Sequence, residues 1–79
     1  AHINKVVHSF NSPLGDLCVD IFRRPDDTFG FEEYRRDHED GRGWFPIGYY
    51  GAEEFVDAAG ALQQAKISVQ WLQDVTMTP

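Results

Sequence analysis

A chain of 79 residues with 42% hydrophobic content and a single cysteine is one small domain with a thin core, too ordered in composition for disorder and without a disulfide scaffold. The one cysteine fits a reducing cytoplasm, and neither an apolar run of the ~20 residues that span a bilayer nor a signal-peptide pattern is present, so no membrane partner is expected. Thirteen acids against seven Lys and Arg, a formal charge of −6, weigh against nucleic acid as a partner, because neutralised phosphates supply most of the affinity of such modules.

Residues 1–16 form an N-terminal arm in which Ile3, Lys5 and Val7 alternate with Asn4 and Val6. That alternation suits a short edge strand, and Pro13 and Gly15 mark a turn after it. The arm is either an extra strand or a docked tail. "LCVDIFRR", Leu17 to Arg24, predicts a strand with Leu17, Val19 and Ile21 on one face and Cys18, Asp20 and Phe22 on the other. Pro25 and the pair Asp26–Asp27 then turn the chain, the aspartates through side-chain-to-backbone bonds.

"FGFEEYRR", Phe29 to Arg36, predicts the second strand, in which Gly30 leaves room for a neighbouring aromatic or marks a bulge. "DHEDGRG", Asp37 to Gly43, is a hairpin loop with glycines for positive φ, and "WFPIGYY", Trp44 to Tyr50, the third strand. Pro46 cannot donate to a ladder and belongs at an edge or a bulge. Phe55, Ala58, Leu62, Ala65, Val69 and Leu72 step by three and four, so one helix follows, capped by Asp57. Residues 73–79 are expected to fray. The fold class is therefore α+β: residues 17–72 form a three-stranded antiparallel meander on one C-terminal helix (β-β-β-α), with the arm as candidate extra edge strand.

The run "VDIF" with an acidic turn, "TFGF", an acidic glycine-containing loop and "YY" before a capped helix resembles the small bacterial YegP-like domains, which run β-β-β-α. The resemblance implies fold alone, since that family has no settled activity to transfer. The loop is longer than the tight Asn-Gly turn expected there, and the unit occurs once rather than in tandem. A looser likeness is to the three-stranded DNA-reading sheets of integrase arms and plant AP2 domains.

Residues that invite a chemical reading mostly fail on spacing. Asp37, His38, Glu39 and Asp40 suggest a hard-metal loop. Counting from Asp37, however, the glycine falls one place early and Gly48 stands where a calcium loop needs glutamate. His2, His8, His38 and Cys18 lack the paired spacing of a zinc site. Glu32 and Glu33 are adjacent in a strand and face opposite ways, so they cannot act on one atom. The bland reading pairs Glu32 with Arg36 and Glu33 with Arg35. No nucleophile elbow, phosphate loop or dinucleotide glycine pattern occurs. No catalytic, cofactor or metal residue is expected.

One feature remains. If Leu17, Val19, Ile21, Phe29, Phe31, Phe45 and Ile47 meet the helix, then Phe22, Arg24, Tyr34, Arg36, Trp44 and Tyr50 look outward. Aromatics and arginines are the residues enriched at interface hot spots. Either the arm folds over them through Val6, Val7 and Phe10, or they form a contact surface. The functional expectation is a non-catalytic protein-interaction or self-association module, its partner another protein or a second copy. The alternative is a nucleic-acid module that stacks bases on Tyr34 and Trp44 and meets phosphates with Arg23, Arg24, Arg35, Arg36 and Arg42. Those five arginines share their segment with seven acids, a local charge of −2, so the protein partner is preferred.

Overall fold

The computed structural model describes residues 4–37, 39, 41 and 43–76. Four strands, β1 (Lys5–Asn11), β2 (Leu17–Arg23), β3 (Phe29–Arg36) and β4 (Trp44–Pro46), form one antiparallel sheet in chain order, followed by helices α1 (Ala58–Ser68) and α2 (Gln70–Thr76). The class is α+β, as the patterning predicts, with one strand and one helix more than the β-β-β-α core.

Of the two fates open to the N-terminal arm, the chain takes the strand. β1 pairs along β2 from Lys5↔Arg23 to Asn11↔Cys18, with a bulge between Val6 and His8. The bulge reverses the alternation, so Val6 lies beside Phe22 while His8 and Phe10 lie beside Ile21 and Val19. The arm thus widens the sheet in its plane instead of folding across it. Ser12 closes the β1–β2 turn: its Oγ accepts from the Leu17 amide at 3.2 Å, and Gly15 supplies the positive φ of 75°.

Between β2 and β3, Asp26 Oδ1 accepts from both the amide and hydroxyl of Thr28, the local bonding expected of this turn, while Asp27 instead pairs with Arg23 at 2.6 Å. Phe22 pairs opposite Gly30, and a Cβ on Gly30 would meet the Phe22 ring at 2.9 Å. The glycine is the room for an aromatic that the strand pattern suggested, and no bulge is present there.

β4 is shorter than the predicted strand. It ends at Pro46, which has no amide to continue the ladder; Ile47 N–H still reaches the Glu33 carbonyl at 2.9 Å, and further on Phe55 forms an isolated antiparallel bridge with Phe29. Phe45 and Ile47, expected in the core, are 42% and 36% exposed, because α1 lies over β2 and β3 and does not reach β4.

Asp57 caps α1 as predicted: its backbone is extended and its Oδ1 accepts from the Gly60 amide at 2.7 Å. The expected single helix is broken at Val69, whose φ of −118° and ψ of 100° are those of a strand. The break lets Val69 and Leu72 both enter the core and turns Trp71 so that its indole Nε1 donates to Glu33 Oε2 at 2.9 Å. Residues 73–76, expected to fray, form the end of α2, and the Thr76 hydroxyl donates to the Leu72 carbonyl at 2.8 Å.

Val19, Ile21, Phe31, Ala61, Ala65, Val69 and Leu72 form the core, with Phe10, Phe29, Tyr50 and Phe55 packed at its margin. Small Ala61 and Ala65 allow α1 close to the sheet while Phe31 and Leu72 fill the space beside them. The thinnest extent of the fold is 17 Å, enough for one helical layer and one sheet. Among the described residues no helix or strand lies over the other face; the Arg24 side chain and the Gly51–Glu53 segment cover its Phe22 and Glu32 end.

Candidate functional site

Cross-strand register decides what that second face presents. Ser9 and Asn11 of β1 stand beside Asp20 and Cys18 of β2, and Asp20 and Cys18 beside Glu32 and Tyr34 of β3. Tyr34 pairs with Pro46, and Arg36 with Trp44, at the β4 edge. All four strands therefore contribute to a shallow hollow of about 270 Å³ lined by Ser9, Asn11, Cys18, Asp20, Tyr34 and Trp44. A second hollow continues from it toward Val6, Phe22, Glu32 and Gly51.

Five of the six residues expected to face outward lie on this side. They are not equally available. Phe22 is buried to 7% exposure, and the Arg24 guanidinium lies 5.0 Å above its ring. Arg24 also donates to the carbonyls of Phe29, Gly51 and Glu53 and to the Thr28 hydroxyl. It is a clamp between the β2–β3 turn and the chain leading to α1. Arg36 stacks on Trp44 at 4.8 Å and donates to the Gly15 carbonyl at 3.3 Å. Trp44 itself stays 41% exposed.

Tyr50 is on the wrong side for this set. Its ring stacks on Phe31 at 4.9 Å, and its hydroxyl donates to the Ser68 carbonyl at 3.4 Å, under the helices. The strand alternation that would have turned it outward ends at Pro46, and Tyr49, at a positive φ of 55°, reverses the chain before it. The expected pairing of Glu32 with Arg36 is absent as well. Glu32, 8% exposed, accepts instead from the amides of Glu33, Tyr50 and Gly51. A buried carboxylate without an arginine is tolerable when backbone N–H groups surround it. Glu33, paired in expectation with Arg35, holds the Trp71 indole.

Within the hollow, Ser9 Oγ donates to Asp20 Oδ1 at 2.7 Å and the Cys18 thiol donates to the same oxygen at 3.3 Å. Burial pushes the Cys18 pKa up; the Ser9 hydrogen bond opposes it, and the Asp20 hydrogen bond and charge add to the upward shift. The thiol is thereby held protonated, the reverse of what a nucleophile needs. His8 stands beside Ile21 on the opposite face and cannot serve Cys18 as a base. The Tyr34 phenol is also shifted upward, first by burial and then by the charges of Asp20 and Glu32.

Elsewhere, the described residues contain no group of three or more His, Cys, Asp or Glu side chains arranged to hold a metal ion. His2, His38, Asp40 and Arg42, which entered the metal and nucleic-acid readings, lie outside the described residues. No helix among the described residues is long and apolar enough to cross a membrane. Asp20 was legible as an outward residue from its alternation with Cys18 and Phe22. Ser9 and Asn11 were not, because their side depends on the bulge in β1.

No family model matches the chain, and comparisons with curated proteins and with solved structures found no similar protein.

Proposed function

We propose that this domain is a non-catalytic protein-interaction module whose contact surface is the helix-free face of the sheet. The observation that carries the reading is the hollow to which all four strands contribute, with Tyr34 and the 41% exposed Trp44 at its wall and no element above it. Aromatic surface next to fixed polar groups is the composition of a docking site. A shallow, open hollow with a protonated thiol offers a side chain a place to sit and offers a substrate little enclosure. The occupant is a second protein rather than a second copy of this chain, since two chains of charge −6 repel. The nucleic-acid alternative loses ground for a structural reason: Arg24 and Arg36 are engaged by carbonyls and rings, while Asp20 and Glu32 set the sign of the face.

Placing a photo-crosslinking benzoyl-phenylalanine at Asn11, on the wall of the hollow, and separately at Ile67, on the exposed side of α1, tests this in the native cell. One discrete protein adduct from position 11 and none from position 67 is expected. Adducts of equal yield from both, or none from position 11, would contradict it. Purified protein should also fail to shift short DNA or RNA at physiological salt, and salt-sensitive retention of either would restore the alternative.

A further inference from the structure

The hollow is asymmetric in charge. Asp20 stands in it half-buried, and both hydrogen bonds it accepts end on the same oxygen, Oδ1. Among the described residues no basic side chain lies within ion-pair distance of it. Arg24 and Arg36 on this face are already engaged, Arg24 over Phe22 and Arg36 over one side of the Trp44 ring, and neither guanidinium lines the hollow. Glu32 adds a second negative charge beside Asp20 in the register. The Tyr34 phenol is harder to ionise first because it is partly buried, and then because of both carboxylates. Trp44 and Tyr34 complete the walls with ring surface, and aromatic rings attract cations through their negative π faces.

We propose that this hollow receives the cationic head of a basic side chain of the docked protein, a lysine-type ammonium or an arginine-type guanidinium. Oδ2 of Asp20 accepts from the N–H groups of the cation, and the Tyr34 and Trp44 rings lie against the aliphatic stem. A volume of about 270 Å³ accommodates one such side chain. This assignment rests on the reading of the face as a protein-docking surface and specifies the chemistry at its centre.

Amide and indole NMR spectra of the whole domain, titrated with Nα-acetyl-lysine methylamide, Nα-acetyl-arginine methylamide and the neutral Nα-acetyl-norleucine methylamide, test it. One or both cationic probes should give saturable shifts at Cys18, Asp20, Tyr34 and the Trp44 indole, and the better of them tells which cation is preferred. The norleucine probe should bind at least about five-fold more weakly, as expected for loss of a charge-assisted contact. Asp20→Asn, which keeps an oxygen for Ser9, should weaken the cationic probe by a similar factor. Bound cation should also lower the pH at which Tyr34 ionises. If Asp20→Asn does not fold, Trp44→Leu at its exposed position carries the same test with a loss of about three-fold or more. Equal binding of norleucine, or cationic binding indifferent to Asp20 and Trp44, would overturn the cation pocket. Absence of probe shifts with the position-11 adduct intact overturns the cation pocket and leaves the docking face standing. Absence of both removes the two together.

Discussion

β2 and β3 carry two different tasks on alternate residues. On the helix side Val19, Ile21 and Phe31 are fully buried in an apolar cluster, with His8, Glu33 and the Trp71 indole at its margin. On the other side Cys18, Asp20, Glu32 and Tyr34 are buried or half-buried without a helix or strand above them, and Cys18, Asp20 and Glu32 bond sideways to Ser9, to each other and to turn amides. One face gains stability by excluding water. The other keeps fixed polar groups and aromatic rings in contact with it. The difference teaches that a thin two-layer domain can place nearly all of its cohesion on one face and leave the second for recognition, and each substitution below is chosen to test that division.

The largest effect should come from the covered face. Leu72→Ala removes a side chain with no exposure at the centre of the core and should cost about 2–5 kcal/mol in urea unfolding, much of the total for a domain this small. Gln63→Ala, exposed on α1, should stay within ~0.5 kcal/mol of the parent. Comparable costs at the two positions would mean that α1 and α2 present different sides to the sheet.

A smaller loss is expected where the two helices are tied to the sheet. Trp71→Phe keeps most of the packing and deletes the bond of 2.9 Å from the indole to Glu33. It should destabilise by roughly 1.5–3 kcal/mol, the range for hydrogen bonds to charged groups, and Trp71→Phe combined with Glu33→Gln should cost less than the sum of the two singles. Strict additivity would show that the bond does not form in solution.

The alkaline limb of the stability curve sharpens the comparison further. The Cys18, Tyr34 and Tyr50 groups all have pKa values raised mainly by burial, so folding favours their neutral forms. Their contribution is complete below the ordinary thiol and phenol values of about 8.5 and 10, and is lost as pH rises through the raised values of the folded state. Melting temperature should therefore fall above about pH 9, and Cys18→Ala should remove the earliest part of that fall. A midpoint unchanged by that variant would place Cys18 in a wetter site than its 8% exposure implies.

Much of the covered face was readable in advance. Period-two alternation placed Val19, Ile21 and Phe31 together, Gly30 announced the ring of Phe22, and the spacing from Asp57 located the helix start. What was not readable depended on contacts between distant segments. Tyr50 changed faces because Pro46 stops the ladder and the Tyr49 backbone reverses the chain. Glu32 looked like half of a charge pair until the amides of Tyr50 and Gly51 were brought to it. The break at Val69 goes with the bond from Trp71 to Glu33, a pairing 38 residues apart that no local pattern encodes. In β1 a single bulged position decided which side Ser9 and Asn11 would serve.

The division of labour between the two faces is tested most directly by one double variant, Tyr34→Ser/Trp44→Ser, carrying the crosslinker at Asn11. Urea unfolding and adduct yield are measured on the same protein. The expected result is a folded protein that loses about 1–2 kcal/mol, well short of the Leu72→Ala loss because Tyr34 is half-buried and Trp44 exposed, together with loss of the adduct. A loss of several kcal/mol, or an adduct of undiminished yield, would contradict it and make the aromatic residues of the open face part of the fold rather than its contact surface.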